Sequence, residues 1–316
     1  MRTADEAQSC WQALDRYSSL HELKQSVRLE QGAPSVSSGL RSVCWKAFLL
    51  FENVDRSTWP AILSESRSAY NTLCTHYLRA IEHPDEVETS VDPLSDNQQS
   101  PWVALRVDED IRNEIFQDVQ RCMPDSVYFR QPSTQKMLLD ILFVYCKLNP
   151  DVGYRQGMHE LVAPILWVVE RDAVDASRLR GEEGGGDEQK LMLSMFDAEF
   201  VEHDTFTLFS LIMLNGKSFY EPAITTKSSD KKGSSRDSTV QSESPLLVTV
   251  KRIFETFLPK ADPELAARLQ KLDVSPQIFL MRWIRLLFGR EFAFDDVLPM
   301  WDMLFAEDPS LKLVDH

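Results

Sequence analysis

Apolar residues in this chain recur at three- and four-residue spacing along most of its length, and strand-like alternation is scarce. Such spacing lines side chains along one face of a helix and leaves little that could pair into a sheet. "RSVCWKAFLLF" (41–51) puts Val43, Ala47 and Leu50 on one stripe, which Trp45, Phe48 and Leu49 widen. "DEDIRNEIFQDVQRCMP" (108–124) carries Ile111, Ile115, Val119 and Cys122 behind an acidic start and stops at Pro124. "STQKMLLDILFVYCKLNP" (133–150) opens on a Ser/Thr cap and ends at Asn149-Pro150. Comparable patterns cover 204–216, 245–259, 263–272, 275–289 and 295–305. The expected fold class is all-α, one domain of helices packed on helices through short connections.

Two stretches break the pattern. Residues 172–190 contain "RGEEGGGDEQK", and residues 225–244 contain "TTKSSDKKGSSRDSTVQSES". Both are too rich in Gly, Ser and charge to bury much surface, and are expected to be flexible surface insertions within the domain. A third polar loop, "VETSVDPLSDNQQSPW" (87–102), precedes the acidic helix start. Residues 1–38 are expected to form an N-terminal helical extension and 39–316 the main domain.

The formal net charge of −15 and pI near 4.9 work against nucleic acid or an anionic membrane as a partner, because both require clustered Lys and Arg. No direct membrane insertion is expected, since no eighteen-residue uncharged apolar run occurs. The five cysteines (Cys10, Cys44, Cys74, Cys122, Cys146) are far apart and show no zinc-ligand spacing. They read as reduced core residues of a cytoplasmic protein. "GEEGGGDE" is neither a P-loop nor a GxGxxG fingerprint, so the chain is not expected to hold a nucleotide or to be a nucleotide hydrolase.

Chemistry concentrates in two places. In "IFQDVQR", Ile115 lies on the apolar stripe, while Asp118 and Arg121 are three apart and neighbours on another face, where the carboxylate can brace the guanidinium. Alone, that is an ordinary surface ion pair worth a few tenths of a kcal/mol, on the order of ~0.3. In "YRQGM" (154–158), Arg155 and Gln156 stand just before Gly157 at the mouth of an apolar helix. Alone, that is a capped helix start with two solvated residues.

Together and in this order, Ile115-Asp118-Arg121 and Tyr154-Gln156-Gly157-Met158 resemble the IxxDxxR and YxQGM signature of the TBC domain family of Rab GTPase-activating proteins. "GLRSVCWKAFL" (39–49) is similar to the family's first helix in Arg41, Val43 and Trp45. "FLMRWIRLLFGREFAFDDVLPMWDMLF" (279–305) is similar to its tryptophan-rich block. "MHELVAPI", the "DPLS" loop and "LLFGREF" look most like the retromer-associated branch. Most members carry Asn-Asp where this chain has His159-Glu160. TBC domains usually continue with further helices after the tryptophan-rich block, so a shortened C-terminal lobe is expected.

The resemblance implies a GTPase activator acting on a Rab in its GTP form, with GTP and Mg²⁺ held by the partner and no cofactor in this chain. Hydrolysis spreads negative charge over the transferring phosphoryl group and needs a positioned water. Arg121 would be an arginine finger neutralising that charge, and Gln156 a second finger positioning the water. Such a guanidinium is worth about 10³ to 10⁵ in rate, or roughly 4 to 7 kcal/mol. Asp118, Tyr154, Arg155 and Gly157 would support the site or touch the Rab. Leu94, apolar in the polar "DPLS" loop, is a candidate docking residue, with retromer the partner that the branch implies. The branch also implies a late-endosomal Rab, a role in endosomal trafficking and peripheral recruitment to endosomal membranes. The alternative is a non-catalytic module that binds Rab or retromer. His159 reads as a packed or capping histidine rather than a metal ligand, and Arg290-Glu291 as a bracing contact between late helices.

Overall fold

The computed structural model describes residues 2–29, 39–84, 100–175, 186–221, 225–226, 240–241 and 243–311. Those residues fold as fourteen α-helices: α1 Ala4–Trp11, α2 Leu20–Leu29, α3 Arg41–Lys46, α4 Trp59–Glu82, α5 Pro101–Gln120, α6 Pro132–Leu148 and α7 Met158–Asp172. The second half holds α8 Asp187–Met195, α9 Val201–Gly216, α10 Pro245–Arg252, α11 Leu258–Ala261, α12 Pro263–Lys271, α13 Leu280–Arg285 and α14 Phe294–Glu307. The fold is all-α, as expected. A two-residue antiparallel pair, Thr225–Thr226 with Val240–Gln241, is the one strand pairing among the described residues.

Helix α9 occupies the centre, packed against α7, α4 and α6. Its register explains why: Phe206, Leu208, Phe209, Ile212 and Met213 are all buried, so the helix is apolar around most of its girth. Helices α5, α6 and α7 pack in succession beside it. Residues 2–29 belong to the same core, with Trp11 of α1 edge-on to Trp59 and Phe196, and α2 lying along α14.

Two buried carboxylates fasten the helices. Asp204 on α9 accepts from Lys46 Nζ at 2.6 Å and from Arg67 Nε and Nη2, both at 2.8 Å. Both cations also donate to backbone carbonyls, Lys46 to Met195 and Arg67 to Ser194. A buried charge is tolerable only with this degree of pairing. The two cations hold the Asp204 carboxyl below its ordinary value despite burial that raises it. Asp302 on α14 accepts from Arg41 Nε at 3.0 Å and from Trp45 Nε1 at 2.7 Å, which ties α3 to the last helix.

Three expectations meet a different local structure. Helix α5 begins at Pro101, two turns before the acidic start at Asp108, because Ser100 caps it by accepting from the Trp102 N–H and proline is preset for the first turn. The stretch 275–289 is not one helix. It is a 3₁₀ turn, the six-residue α13, and then a reversal in which Leu287 and Phe288 take left-handed φ values of 45° and 61°. The reversal lets Leu287 enter the core while its carbonyl accepts from Trp301 Nε1 at 2.9 Å. Of 172–190, residues 176–185 lie outside the described set, while Asp172, Ala173 and Val174 are buried and α8 begins at Asp187. There, Arg2 N–H donates to the Ala173 carbonyl, and Val174 bridges to Asp197. Leu94 and most of the 225–244 stretch also lie outside the described residues.

Replacing Asp204 with Ala leaves Lys46 and Arg67 buried without a counter-ion. Chemical denaturation should show a loss of about 3 to 5 kcal/mol, and a loss below ~1 kcal/mol would contradict the role given to this triad.

Candidate active site

The site assembles where α5 ends and α7 begins. Ile115 and Val119 are fully buried and fix the rotation of α5, which brings Asp118 inward and leaves Arg121 at the terminus facing out. Asp118 is 5% exposed, whereas the Arg121 side chain is 59% exposed and pairs with Asp118 Oδ1. The spacing of three residues yields the expected brace.

The loop joining α6 to α7 presents the second motif. Val152 and Tyr154 point into the core, while Arg155 and Gln156 are exposed. Asn149 organises the loop, its carbonyl accepting from the Gly153 N–H at 2.9 Å and its side chain donating to the Tyr145 carbonyl. Gly153 and Gly157 adopt φ values of 62° and 104°, which side chains other than glycine rarely take. At Gly157 a Cβ would also fall 2.8 Å from Leu286 Cδ2, so the reversal after α13 packs directly on this turn.

Tyr154 joins the two motifs. Its hydroxyl donates to Asp118 Oδ2 at 2.7 Å and lies 3.0 Å from His159 Nδ1. With the phenol proton committed to the carboxylate, His159 Nδ1–H donates to the tyrosine oxygen, and Nε2 is then an acceptor with no hydrogen-bond partner. Burial is the main cause that pushes the His159 imidazole down to about 4; Asp118 opposes the shift and Arg290 and Arg121 add to it. The ring is therefore neutral near pH 7. Cys122, next to Arg121, is buried and its thiol is pushed up to about 12, which leaves it an inert core group.

Sequence reasoning missed one contributor. Arg290 and Glu291 do not brace late helices as a pair: Glu291 accepts from Arg282 Nε at 2.6 Å, and Arg290 Nε pairs with Glu160 Oε2 at 2.6 Å. Glu160 follows His159 in the first turn of α7 and is largely buried. Burial raises its carboxyl above the ordinary value, and Arg290 opposes that. Only the left-handed reversal at Leu287 and Phe288 brings Arg290 here, and helical periodicity carries no signal for it. Among the described residues no group of three or more His, Cys, Asp or Glu is arranged to hold a metal ion. No described helix is long and apolar enough to cross a membrane.

The domain is all-helical, exposes Arg121 on the buried carboxylate of Asp118, and exposes Gln156 two residues after the tyrosine that donates to the same carboxylate. The chain belongs to the Rab-GTPase-TBC domain family, whose match covers residues 39–314. It is similar to TBC1 domain family member 5 of Homo sapiens, 35% identical over 89% of this chain and 36% of that protein. The TBC1 domain family member 5 homolog B of Dictyostelium discoideum is 29% identical over 88% of this chain and 36% of its own length. The chain thus spans about a third of these relatives. The crystal structure of the Ypt/Rab-GAP domain of Gyp1p shares the fold, with a TM-score of 0.61 at 20% identity over 92% of this chain and 75% of that one.

With its folded value below the usual 6.5, His159 takes up a proton more readily in the unfolded chain, so its contribution to stability falls as pH drops from 6.5 toward 4. That amounts to about 2 kcal/mol by pH 5. Histidine NMR should show one ring that does not titrate between pH 7.5 and 5 and whose signal His159→Gln removes. A midpoint above 6 for His159 would contradict the buried neutral ring.

Proposed function

We propose that this domain accelerates GTP hydrolysis by a Rab in its GTP form, supplying Arg121 and Gln156 in trans while the Rab holds GTP and Mg²⁺. The carrying observation is the shared carboxylate: Asp118 pairs with Arg121 and also accepts from Tyr154, two residues before Gln156. Both side chains are exposed and borne on backbone that is pinned from the core. Preorganisation of this kind is what a transition-state contact needs, since the groups need not be ordered during the reaction.

Each residue has a chemical task. Arg121 would place its planar guanidinium against the phosphoryl oxygens as charge spreads over them. Gln156 would offer a carboxamide that accepts from the attacking water and donates to an oxygen nearby. Asp118 and Tyr154 hold the two in register, and Gly157 lets the backbone turn where a side chain would strike Leu286. Arg155, exposed beside Gln156, would contact the Rab. The finer reading of a late-endosomal Rab, recruitment to endosomal membranes through partners, and retromer docking through Leu94 is part of the same proposal and rests on the likeness of "MHELVAPI", "DPLS" and "LLFGREF" to the retromer-associated branch.

A panel of purified Rabs loaded with GTP tests this reading. Wild-type protein should stimulate at least one, Arg121→Ala should lower kcat by about 10³ or more, and Gln156→Ala should also lower it. Arg121→Lys should recover little, because an ammonium lacks the planar fork. Equal stimulation by all variants would remove the catalytic assignment. Binding of Rab·GTP without stimulation by wild type would leave the interaction module.

A further inference from the structure

Arg290 is an exposed guanidinium paired with Glu160 in the first turn of α7, one residue after the His159 that lies against Asp118. Its side chain is 56% exposed although its Nε is committed to Glu160. Arg121 pairs with Asp118, whose Oδ2 lies 3.7 Å from His159 Nδ1, and Arg290 pairs with Glu160, the next residue, so the two guanidinium groups flank the start of α7. The loop that delivers Arg290 is held in an unfavourable conformation, with two successive non-glycine residues at positive φ. Such backbone persists only where its surroundings over-determine it, and it clusters at functional surfaces. Here the surroundings are known: Leu286 against Gly157, the Leu287 carbonyl on Trp301 Nε1, and Glu160 on Arg290.

Stability alone does not account for this arrangement. An ion pair with one half-exposed member adds little, while burying Glu160 opposes ionisation. What the pair does achieve is a fixed direction for an exposed cation next to the proposed finger. We propose that Arg290 is a partner-contacting residue that recognises an oxyanion, a carboxylate or a phosphate, on the docked GTPase and so contributes to its binding. This inference rests on the reading of Arg121 and Gln156 given above, and deepens it. Arg121 acts on the hydrolytic step and Arg290 acts on capture.

Steady-state stimulation of a responsive Rab separates the two. Arg290→Ala should raise KM about tenfold with kcat within twofold and should flatten the dependence of KM on salt; Arg290→Lys should recover part of the loss. Glu160→Gln keeps the guanidinium but removes the charge it is paired with. Its amide oxygen can still accept from Arg290 Nε but directs it less firmly, so KM should rise by less than in Arg290→Ala, whereas a purely structural role for the pair would give the two variants the same loss. Comparing binding of Arg290→Ala to the GDP form and to a non-hydrolysable GTP form identifies the oxyanion. A loss confined to the GTP form indicates the γ-phosphate; an equal loss indicates an oxyanion common to both forms, a protein carboxylate or the α- and β-phosphates. If wild type stimulates, and Arg121→Ala abolishes that, while Arg290→Ala is unchanged in KM, this inference falls and the catalytic reading stands. If no Rab is stimulated or bound, both fall.

Discussion

The structure of the site depends on where one carboxylate is buried. Asp118 meets Arg121 from its own helix, the Tyr154 hydroxyl from the following loop, and His159 Nδ1 at 3.7 Å from α7. An unpaired carboxylate at this depth would carry a large desolvation penalty. The three groups around it offset that cost only in this one arrangement. The end of α5, the loop 149–157 and the first turn of α7 are therefore locked together by a polar requirement on top of the apolar packing of Ile115, Val119 and Val152.

Glycine at two positions lets that requirement coexist with exposure. Between Gly153 and Gly157 the chain must send Tyr154 inward to Asp118 and keep Arg155 and Gln156 in solvent. An alternation this abrupt, followed at once by a largely buried helix, needs φ values that only glycine takes without strain. Leu286 then fills the space beside Gly157, so a segment 129 residues further along supports the turn. The half that carries the two motifs and the tryptophan-rich block are in this sense one unit.

Periodicity made the all-helical class legible, and the i,i+3 spacing of Asp118 and Arg121 gave the brace between them, while the link between "IFQDVQR" and "YRQGM" came from the family resemblance and takes the form of the Tyr154–Asp118 hydrogen bond. Both signals are local: a stripe sets which face is buried, and i,i+3 neighbours follow from helix geometry. What escaped were features decided at long range. The run 275–289 looks helical by composition, yet Leu287 and Phe288 reverse because Trp301 and Gly157 demand it. Arg290 seemed to belong with its neighbour Glu291, and the tertiary fold gave each a different partner. Ser100 was hidden in a polar loop although its capping role is local; the acidic run at 108 was the stronger, misleading cue.

Exposure divides the arginines and lysines of this chain by task. Lys46, Arg67 and Arg41 are 1, 7 and 12% exposed and each sits on a buried carboxylate, where loss of the partner would leave a costly orphan charge. Arg121 and Arg290 also sit on carboxylates, but at 59 and 56% exposure water already screens most of the attraction. The buried pairs stabilise the fold, and the exposed ones fix the direction of a cation without holding much together. In a chain with a net charge of −15, two buried acids, Asp118 and Glu160, are each set against a guanidinium that stays exposed, and that arrangement is what the proposed encounter with a negative group on a partner calls for.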